Sequence, residues 1–378
     1  MTGTIYLDHA AATPVDSRVL KVMQPYFSEK YANPNSGHGM GEEAREAVEQ
    51  ARAEVAKILG ACAEEIIFTS GGTESVNLAI KGVAFGRKKG HIITSSIEHA
   101  AVLEPCRYLE SKGFSVTYLP VDNYGRVDPQ NVKKAIRKDT ILISIMYVNN
   151  EVGAIQPIAE IGRIARTRKI LFHTDACQAG LLDVDVGKLN VDLMTLNGSK
   201  LHGPKGVGLL YRRAGVSLVP LQHGGGQESG VRSGTENVPG IVGFAKALEL
   251  MQKERETEWK RLKQVRDYFV RRVLQEISQT RVLGQLQNSS PHIVTVAFRD
   301  VEAEVLMRHL TQQGIYVSVG SACHVQQIRL SHVLTAMGIS EKDGLGSIRF
   351  SFGKGTTKQE MDVVIRALKK IVSALRRV

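Results

Sequence analysis

Lys169-Ile170-Leu171-Phe172-His173-Thr174-Asp175-Ala176-Cys177-Gln178-Ala179-Gly180 and, after a polar link, Val191-Asp192-Leu193-Met194-Thr195-Leu196-Asn197-Gly198-Ser199-Lys200-Leu201-His202-Gly203-Pro204-Lys205-Gly206 decide how this chain is read. Both contain short runs rich in Ile, Leu, Val and Phe, the pattern of buried strands. Each run ends in a polar residue, Asp175 after the first and Lys200 after the second. In an open α/β sheet, ligands bind beyond the carboxyl ends of the strands. An anion and an amine at two such ends can hold an aromatic cofactor between them. Pyridoxal phosphate (PLP) requires that pair: a lysine for the Schiff base, and a carboxylate that keeps the pyridine nitrogen protonated. A helix-capping Asp175 and a solvated loop Lys200 fit the same letters.

Upstream, Tyr6-Leu7-Asp8-His9-Ala10-Ala11-Ala12-Thr13-Pro14 is a short extended entry, and Tyr31 to His38 is turn-rich. Its small polar residues, Asn33 among them, are candidates to line a substrate pocket; a plain connection fits as well. Gly41 to Leu59 carries Ala44, Val48, Ala51, Val55, Ile58 and Leu59 at helical spacing. Glu65 to Thr69 reads as a strand. Ser70-Gly71-Gly72-Thr73-Glu74-Ser75 and a helical run from Val76 follow it. Strand, glycines and helix N-terminus make a ready anion site, since glycine lets backbone N–H groups approach and the helix dipole favours a phosphate. An ordinary β-α turn capped by Thr73 is the competing reading.

The alternation continues through His91–Ser95, with Glu98-His99-Ala100 opening the next helix, then Ser115–Leu119 and Ile141–Met146. Asn149-Asn150-Glu151-Val152-Gly153 again puts polar side chains at a strand end. Repeated β-α units predict a mainly parallel sheet with helices on both faces. His99 is either structural or a group that stacks on a flat ring.

After Lys200 come a strand over Val207–Tyr211, the glycine-dense segment His223–Thr235, and a long helical stretch from Asn237 to about Ile277. The charge-rich Lys253–Lys263 within it is a candidate hinge between domains. From Arg281 the units shorten, as in a smaller α/β domain: strand His292–Phe298, helix Val301–Gln313, strand Ile315–Ser318. Ser347-Ile348-Arg349-Phe350-Ser351-Phe352 alternates, which places Arg349 on one face with Ser347 and Ser351. There it can clamp a carboxylate at two points or make a surface ion pair. Gly320-Ser321-Ala322-Cys323-His324 is a small-residue loop of the kind a reactive thiol needs, although a lone cysteine is usually inert.

The composition bounds the rest. The 378 residues include 43% hydrophobic and 23% charged residues, ordinary for a globular chain of two or three domains. No run has the apolar length of a membrane helix, and no secretory signal is visible at the start. Cys62, Cys106, Cys177 and Cys323 are scattered without a CxxC, which argues against a disulfide framework or zinc site and fits a reducing cytoplasm. The formal charge of +11 reads as a solvated basic face. The chain lacks the basic stripe interleaved with aromatics that direct nucleic-acid binding uses.

Taken together and in order, these segments make a chain that resembles the cysteine desulfurases of the class V aminotransferase group (NifS/IscS-like, PLP fold type I). The segments are Tyr6–Ala11, Thr69–Ser75, Glu98-His99, Asn149–Gly153, His173–Gln178, Lys200 with Gly203–Gly206, Arg232–Thr235, Gly320–Cys323 and Ser347–Ser351. The resemblance implies an α/β fold. A large domain over 14–256 would carry a mainly parallel seven-stranded sheet flanked by helices, and a smaller α/β domain over 257–378 with 1–13 would carry the cysteine loop. It implies that Lys200 holds PLP and moves protons, that Asp175 pairs with the pyridinium, and that Gln178 and Asn150 bond near the phenolic oxygen. His99 would stack on the ring and assist proton transfer. Gly72, Thr73, Asn197 and Ser199 would cradle the phosphate, joined by Thr235 from the other subunit of a homodimer. Arg349, Asn150 and Asn33 would bind L-cysteine, and Cys323 would attack its sulfur. The implied products are L-alanine and a persulfide on Cys323. The sulfur would pass to an iron–sulfur scaffold protein or another acceptor, for cluster assembly or tRNA thiolation. Whether Cys323 also ligates a cluster on such a scaffold stays open, and no other metal is expected. A selenocysteine lyase or another class V enzyme, and a slow PLP-binding scaffold protein, are the alternatives.

Three departures from the family pattern stand out. The usual Ser-x-His before the lysine is Asn197-Gly198-Ser199, and the usual arginine after Gln227-Glu228 is Ser229. The segment after the cysteine is His324-Val325-Gln326-Gln327-Ile328-Arg329-Leu330, without the usual Leu-Glu-Pro. Val325, Ile328 and Leu330 are expected to pack down and stiffen it, which bears on sulfur transfer more than on cofactor binding.

Overall fold

Thirteen strands fall into three sheets in a computed structural model that describes residues 3–320 and 330–377. In chain order they are β1 (Ile5–Tyr6), β2 (Ile66–Thr69), β3 (His91–Ser95), β4 (Ser115–Leu119), β5 (Thr140–Ser144), β6 (Leu171–Asp175), β7 (Leu193–Asn197), β8 (Gly208–Arg212), β9 (Thr280–Leu283), β10 (Ile293–Phe298), β11 (Ile315–Tyr316), β12 (Ser318–Val319) and β13 (Ser347–Ser351). The large sheet has seven strands in the order β2-β8-β7-β6-β5-β3-β4, with β8 alone reversed. This is the expected mainly parallel sheet.

Its inner strands are buried on both faces, the edge strand β4 only in part, and successive residues feed two different cores. Ile92, Leu142, Leu193 and Leu210 meet Val76, Ile80 and Val102 of the helices Gly72–Phe85 and Ala100–Glu110. Ile93, Ile143, Phe172 and Met194 belong to the main core, with Val48 and Val55 of the helix Gly39–Leu59. That helix ends at Gly60, whose φ of 65° is a left-handed cap that glycine adopts without Cβ strain.

The second sheet, β12-β13-β10-β9, is antiparallel throughout. Inside it, Ile348 and Phe350 of β13 face the main core, where Phe350 lies 4.7 Å from Phe269, ring centre to ring centre. The alternate residues Ser347, Arg349 and Ser351 take the opposite face, as the alternation requires. β1 pairs in parallel with β11, and the chain then runs past β13 through a bridge between Asp8 and Ser351.

The long helical stretch expected from Asn237 is a single helix of 39 residues, Val238–Glu276, and the charge-rich 253–263 segment lies inside it. No residue between 252 and 261 is buried, yet the helix holds because its charges pair. Glu258 bonds Arg261, and Glu254 reaches Arg18 and Lys354 on other elements. One expectation is corrected: 315–318 is not one strand. It splits at Val317 into β11, which pairs with β1, and β12, which joins the second sheet.

Among the described residues, no helix is long and apolar enough to cross a membrane.

Candidate active site

The carboxyl ends of β2, β3, β5, β6 and β7 deliver Thr69, Ser95, Ser144, Asp175 and Asn197 to one edge of the large sheet. Asp175 is buried, and its Oδ1 accepts from the backbone N–H of Cys177 at 3.0 Å. Lys200 closes the tight turn Gly198–Lys200 that follows β7. Its Nζ donates to the carbonyl of Ala11 in the N-terminal entry. Burial lowers the Lys200 pKa and the Arg349 charge adds to this, while Cys177, Asp8 and Asp175 oppose it. Lys200 at Ala11, Gln178 at Ala10 and Arg349 at Asp8 all bond the N-terminal segment, which brings residues of two sheets into one neighbourhood.

Gly72 begins the helix that follows β2. A Cβ at Gly72 would lie 2.7 Å from Cys177 Sγ and 3.4 Å from Asn197 Nδ2. Three segments distant in sequence thus close around that helix start, where free backbone N–H groups favour an anion. Asn197 Oδ1 accepts from the N–H and the hydroxyl of Ser199 at 3.2 and 3.1 Å, and this ties down the turn that carries Lys200. Thr73 is exposed in the first helical turn, and Gly71, not Thr73, is the capping residue. Glu74 bonds the Ser70 N–H at 2.8 Å and pairs with Arg232 at 2.8 Å, which fixes the approach to the helix.

Gln178 is buried. Its amide donates to the carbonyl of Ala10 at 2.8 Å, and its oxygen lies 3.2 Å from His292 Nε2. Burial pushes the His292 pKa down to about 3, so that ring is neutral and can donate to Gln178. His99 is exposed at the start of the helix Ala100–Glu110, where its Nδ1 accepts from the Ala101 N–H at 3.0 Å. That bond leaves the proton of the neutral ring on Nε2. Behind it, Glu98 is fully buried between the Ser95 hydroxyl, at 2.5 Å, and the Met146 N–H, at 3.0 Å.

Arg349 is buried rather than part of a surface ion pair. Its Nη1 donates to the carbonyl of Asn150 at 2.9 Å, and its Nη2 to Asp8 Oδ1 at 2.7 Å. Its Nε is buried with no partner among the described residues.

Asn33 and Thr235 are both exposed. Asn33 Oδ1 caps the Asn35 N–H at 2.9 Å, and the Asn35 side chain lies 3.5 Å from Glu236, the residue after Thr235. The two therefore neighbour each other on one surface. Cys323 and the segment from Ser321 to Arg329 lie outside the described residues. Leu330 is described and packs against the small cluster of Met146, Val333 and Met337, as expected of it.

Sequence reasoning did not single out Asp8, Cys177 or His292. Asp8 and Cys177 sat inside quoted segments, but their partners lie 341 and about 100 residues away, a distance no local pattern encodes.

The model of the aminotransferase class-V family matches residues 5–364. A "Cysteine desulfurase IscS" from Dictyoglomus turgidum is 50% identical over 379 residues, which cover 100% of this chain and 96% of the relative. The solved structure of a "NIFS-LIKE PROTEIN" superposes with a TM-score of 0.93 at 43% identity, covering 98% of this chain and 100% of that one. A structure described as "SspA in complex with cysteine" superposes with a TM-score of 0.82 at 42% identity, over 92% of this chain and 99% of that one. With a family model over nearly the whole chain and relatives half identical end to end, this protein belongs to the class-V aminotransferase family and, within it, to the cysteine desulfurases.

Proposed function

We propose that this protein converts L-cysteine to L-alanine with PLP as cofactor and Cys323 as sulfur acceptor, and that it hands the sulfur on to iron–sulfur cluster assembly or tRNA thiolation. The observation that carries the reading is that Lys200, Arg349 and Gln178, three residues beyond Asp175, all bond the same N-terminal segment, at Ala11, Asp8 and Ala10.

The residues fit the cofactor. Gly72 starts its helix with no side chain between Cys177 and Asn197, and the free N–H groups of that helix start suit a phosphate. Gly72, Thr73, Asn197 and Ser199 would hold the phosphate, Asp175 the pyridine nitrogen, and Gln178 and Asn150 the phenolic oxygen, with His99 against the ring. Bound PLP supplies an electron sink for the charge left when the substrate loses its α-proton. The remaining work falls to the protein. Lys200, with its pKa lowered by burial, has a larger neutral fraction to take that proton and return one to the product. Arg349, which bonds the Asn150 carbonyl, is assigned to hold the substrate carboxylate by a two-point contact, and Asn150 and Asn33 are assigned to the same substrate. The Cys323 thiolate attacks the substrate sulfur. The S–S bond forms as the C–S bond breaks, the bonding pair stays with carbon, and protonation there gives alanine.

The adjacency of the Asn33 turn and the Thr235 segment on an exposed surface supports a homodimer in which Thr235 reaches the partner's phosphate site. The segregation of the sheets supports a division near residue 257. The seven-stranded sheet uses residues 66–212, and the antiparallel one uses 280–351.

Incubation of the PLP-loaded protein with L-cysteine tests this. Alanine and persulfide on Cys323 should appear in equal amounts, and the visible band of the bound cofactor should vanish in Lys200→Ala. Full alanine output from Cys323→Ala would refute the role of Cys323.

A further inference from the structure

The turn Asn149–Gly153 carries a buried carboxylate that the chemistry above does not use. Glu151 is 5% exposed. Its Oε2 accepts from the Ser331 hydroxyl at 2.5 Å. Ser331 in turn caps the helix His332–Ala336 by accepting from the Val333 N–H at 3.1 Å, so its one proton goes to Glu151 while its oxygen holds the helix start. The same Oε2 lies 2.7 Å from where a Cβ on Gly320 would stand. Gly320 and Ser331 flank the segment that contains Cys323. One carboxylate oxygen therefore touches the chain just before and just after it.

The turn that presents Glu151 is itself fixed. Asn149 Oδ1 accepts from the N–H groups of Glu151 and Val152, both at 2.9 Å. The Glu151 carbonyl accepts from Thr295 Oγ1 at 2.7 Å, in the middle of β10. The neighbouring Asn150 carbonyl holds Arg349 at 2.9 Å. β12, which leads into Gly320, pairs with β13 so that Ser318 stands opposite Arg349. A buried carboxyl is costly unless it is hydrogen-bonded. Burial raises the pKa of Glu151 to about 7, while Ser331 and Arg349 hold it down. An apolar residue would fill this space more cheaply but would leave the Ser331 hydroxyl without its acceptor.

We propose that Glu151 is a positioning residue for the sulfur-accepting step, bonding Ser331 after the Cys323-bearing segment and standing against Gly320 before it, from the turn that also holds Arg349. The proposal rests on the desulfurase reading.

The test uses the PLP-loaded protein and the variants Glu151→Ala, Glu151→Gln and Ser331→Ala. The spectral shift on titration with L-cysteine reports binding, and single-turnover persulfide on Cys323 reports transfer. Glu151→Ala and Ser331→Ala should keep the cofactor band and half-saturating cysteine within roughly twofold, yet slow persulfide formation about tenfold or more, the scale of one lost charge-assisted hydrogen bond. Glu151→Gln keeps an oxygen for Ser331 and should recover to within about threefold of the parent. An unchanged persulfide rate in Glu151→Ala, or a fall matched by equal losses of cofactor and cysteine binding, overturns the assignment. Should Glu151→Ala not fold, Ser331→Ala carries the same expectation alone. An absence of persulfide in the parent protein would refute the desulfurase reading and this assignment with it. A parent that forms persulfide beside unaffected variants would refute only the positioning role.

Discussion

Asp8 Oδ1 accepts from Arg349 Nη2 at 2.7 Å across 341 residues of sequence, so the guanidinium proposed to bind the substrate carboxylate is already engaged by a carboxylate of the protein. Arg349 is almost fully buried, whereas the Asp8 side chain is 23% exposed. Asp8 therefore offsets the burial of the guanidinium charge and competes with an incoming carboxylate for the same nitrogens.

Asp8→Asn should make L-alanine, the carboxylate product, bind more tightly by roughly three- to tenfold, since a neutral amide competes less well for the guanidinium. The same change should lower folding stability by about 1.5–3 kcal/mol, the range for a hydrogen bond to a charged group. Spectral titration and denaturant unfolding of the holoenzyme read the two effects. Weaker alanine binding would mean that Asp8 aligns Arg349 rather than competing for it.

Arg349→Lys keeps the charge but loses the planar fork. It should raise KM for L-cysteine about 10- to 100-fold with a smaller change in kcat, because a lysine cannot hold Asn150, Asp8 and a carboxylate together. A KM within twofold of the parent would place substrate recognition elsewhere.

Gly72→Ala should lose most of its bound cofactor, because the new Cβ would stand 2.7 Å from Cys177 Sγ at the phosphate cradle. Adding Cys177→Ala removes the obstructing sulfur and should restore much of the visible absorbance. A double variant as empty as the single would show that the backbone at residue 72, not the side-chain space, is what matters.

Stability should respond to pH through Glu98. Burial raises its pKa to about 8 from an ordinary 4.5, so the folded chain keeps this proton while the unfolded chain has released it. Where the folded state holds more protons, stability falls as pH rises, here between about 4.5 and 8. Glu98→Gln removes this dependence. The Tm of the variant relative to the parent should therefore climb steadily across that window, and a flat difference would refute the assignment. The buried histidines act at the other end. His9 and His173 are held down to about 4 by burial, so the unfolded chain takes up protons first as pH drops below 6.5. Stability should decline from there toward pH 4.

The α/β order, the parallel sheet and most of the residues around the candidate site were legible in the amino-acid order. Strand and helix periods are local, and a strand-end position such as Asp175 follows from where an apolar run stops; the second strand ends at Asn197, three residues before Lys200, the polar residue at which the sequence alone ends that run. The pairing that holds the helix Val238–Glu276 through its middle was not legible. Its charged middle looks like a linker until Arg18, Lys354 and Arg261 are seen to pair with it. Nor was the split of 315–318, which depends on two different partner strands competing for adjacent residues.

By itself the sequence determined which chemistry the chain carries: an amine and a carboxylate beyond the ends of apolar runs, a guanidinium on one face of an alternating strand, and a glycine-led helix to meet an anion. Only the tertiary structure decided that Asp8 holds Arg349, that Cys177 packs against Gly72, and that Glu151 sits between Gly320 and Ser331. The reason is physical. Periodicity and turn chemistry act over a few residues, whereas a buried charge selects its partner from whatever the packed core brings within hydrogen-bond reach, and chain separation has no weight in that choice.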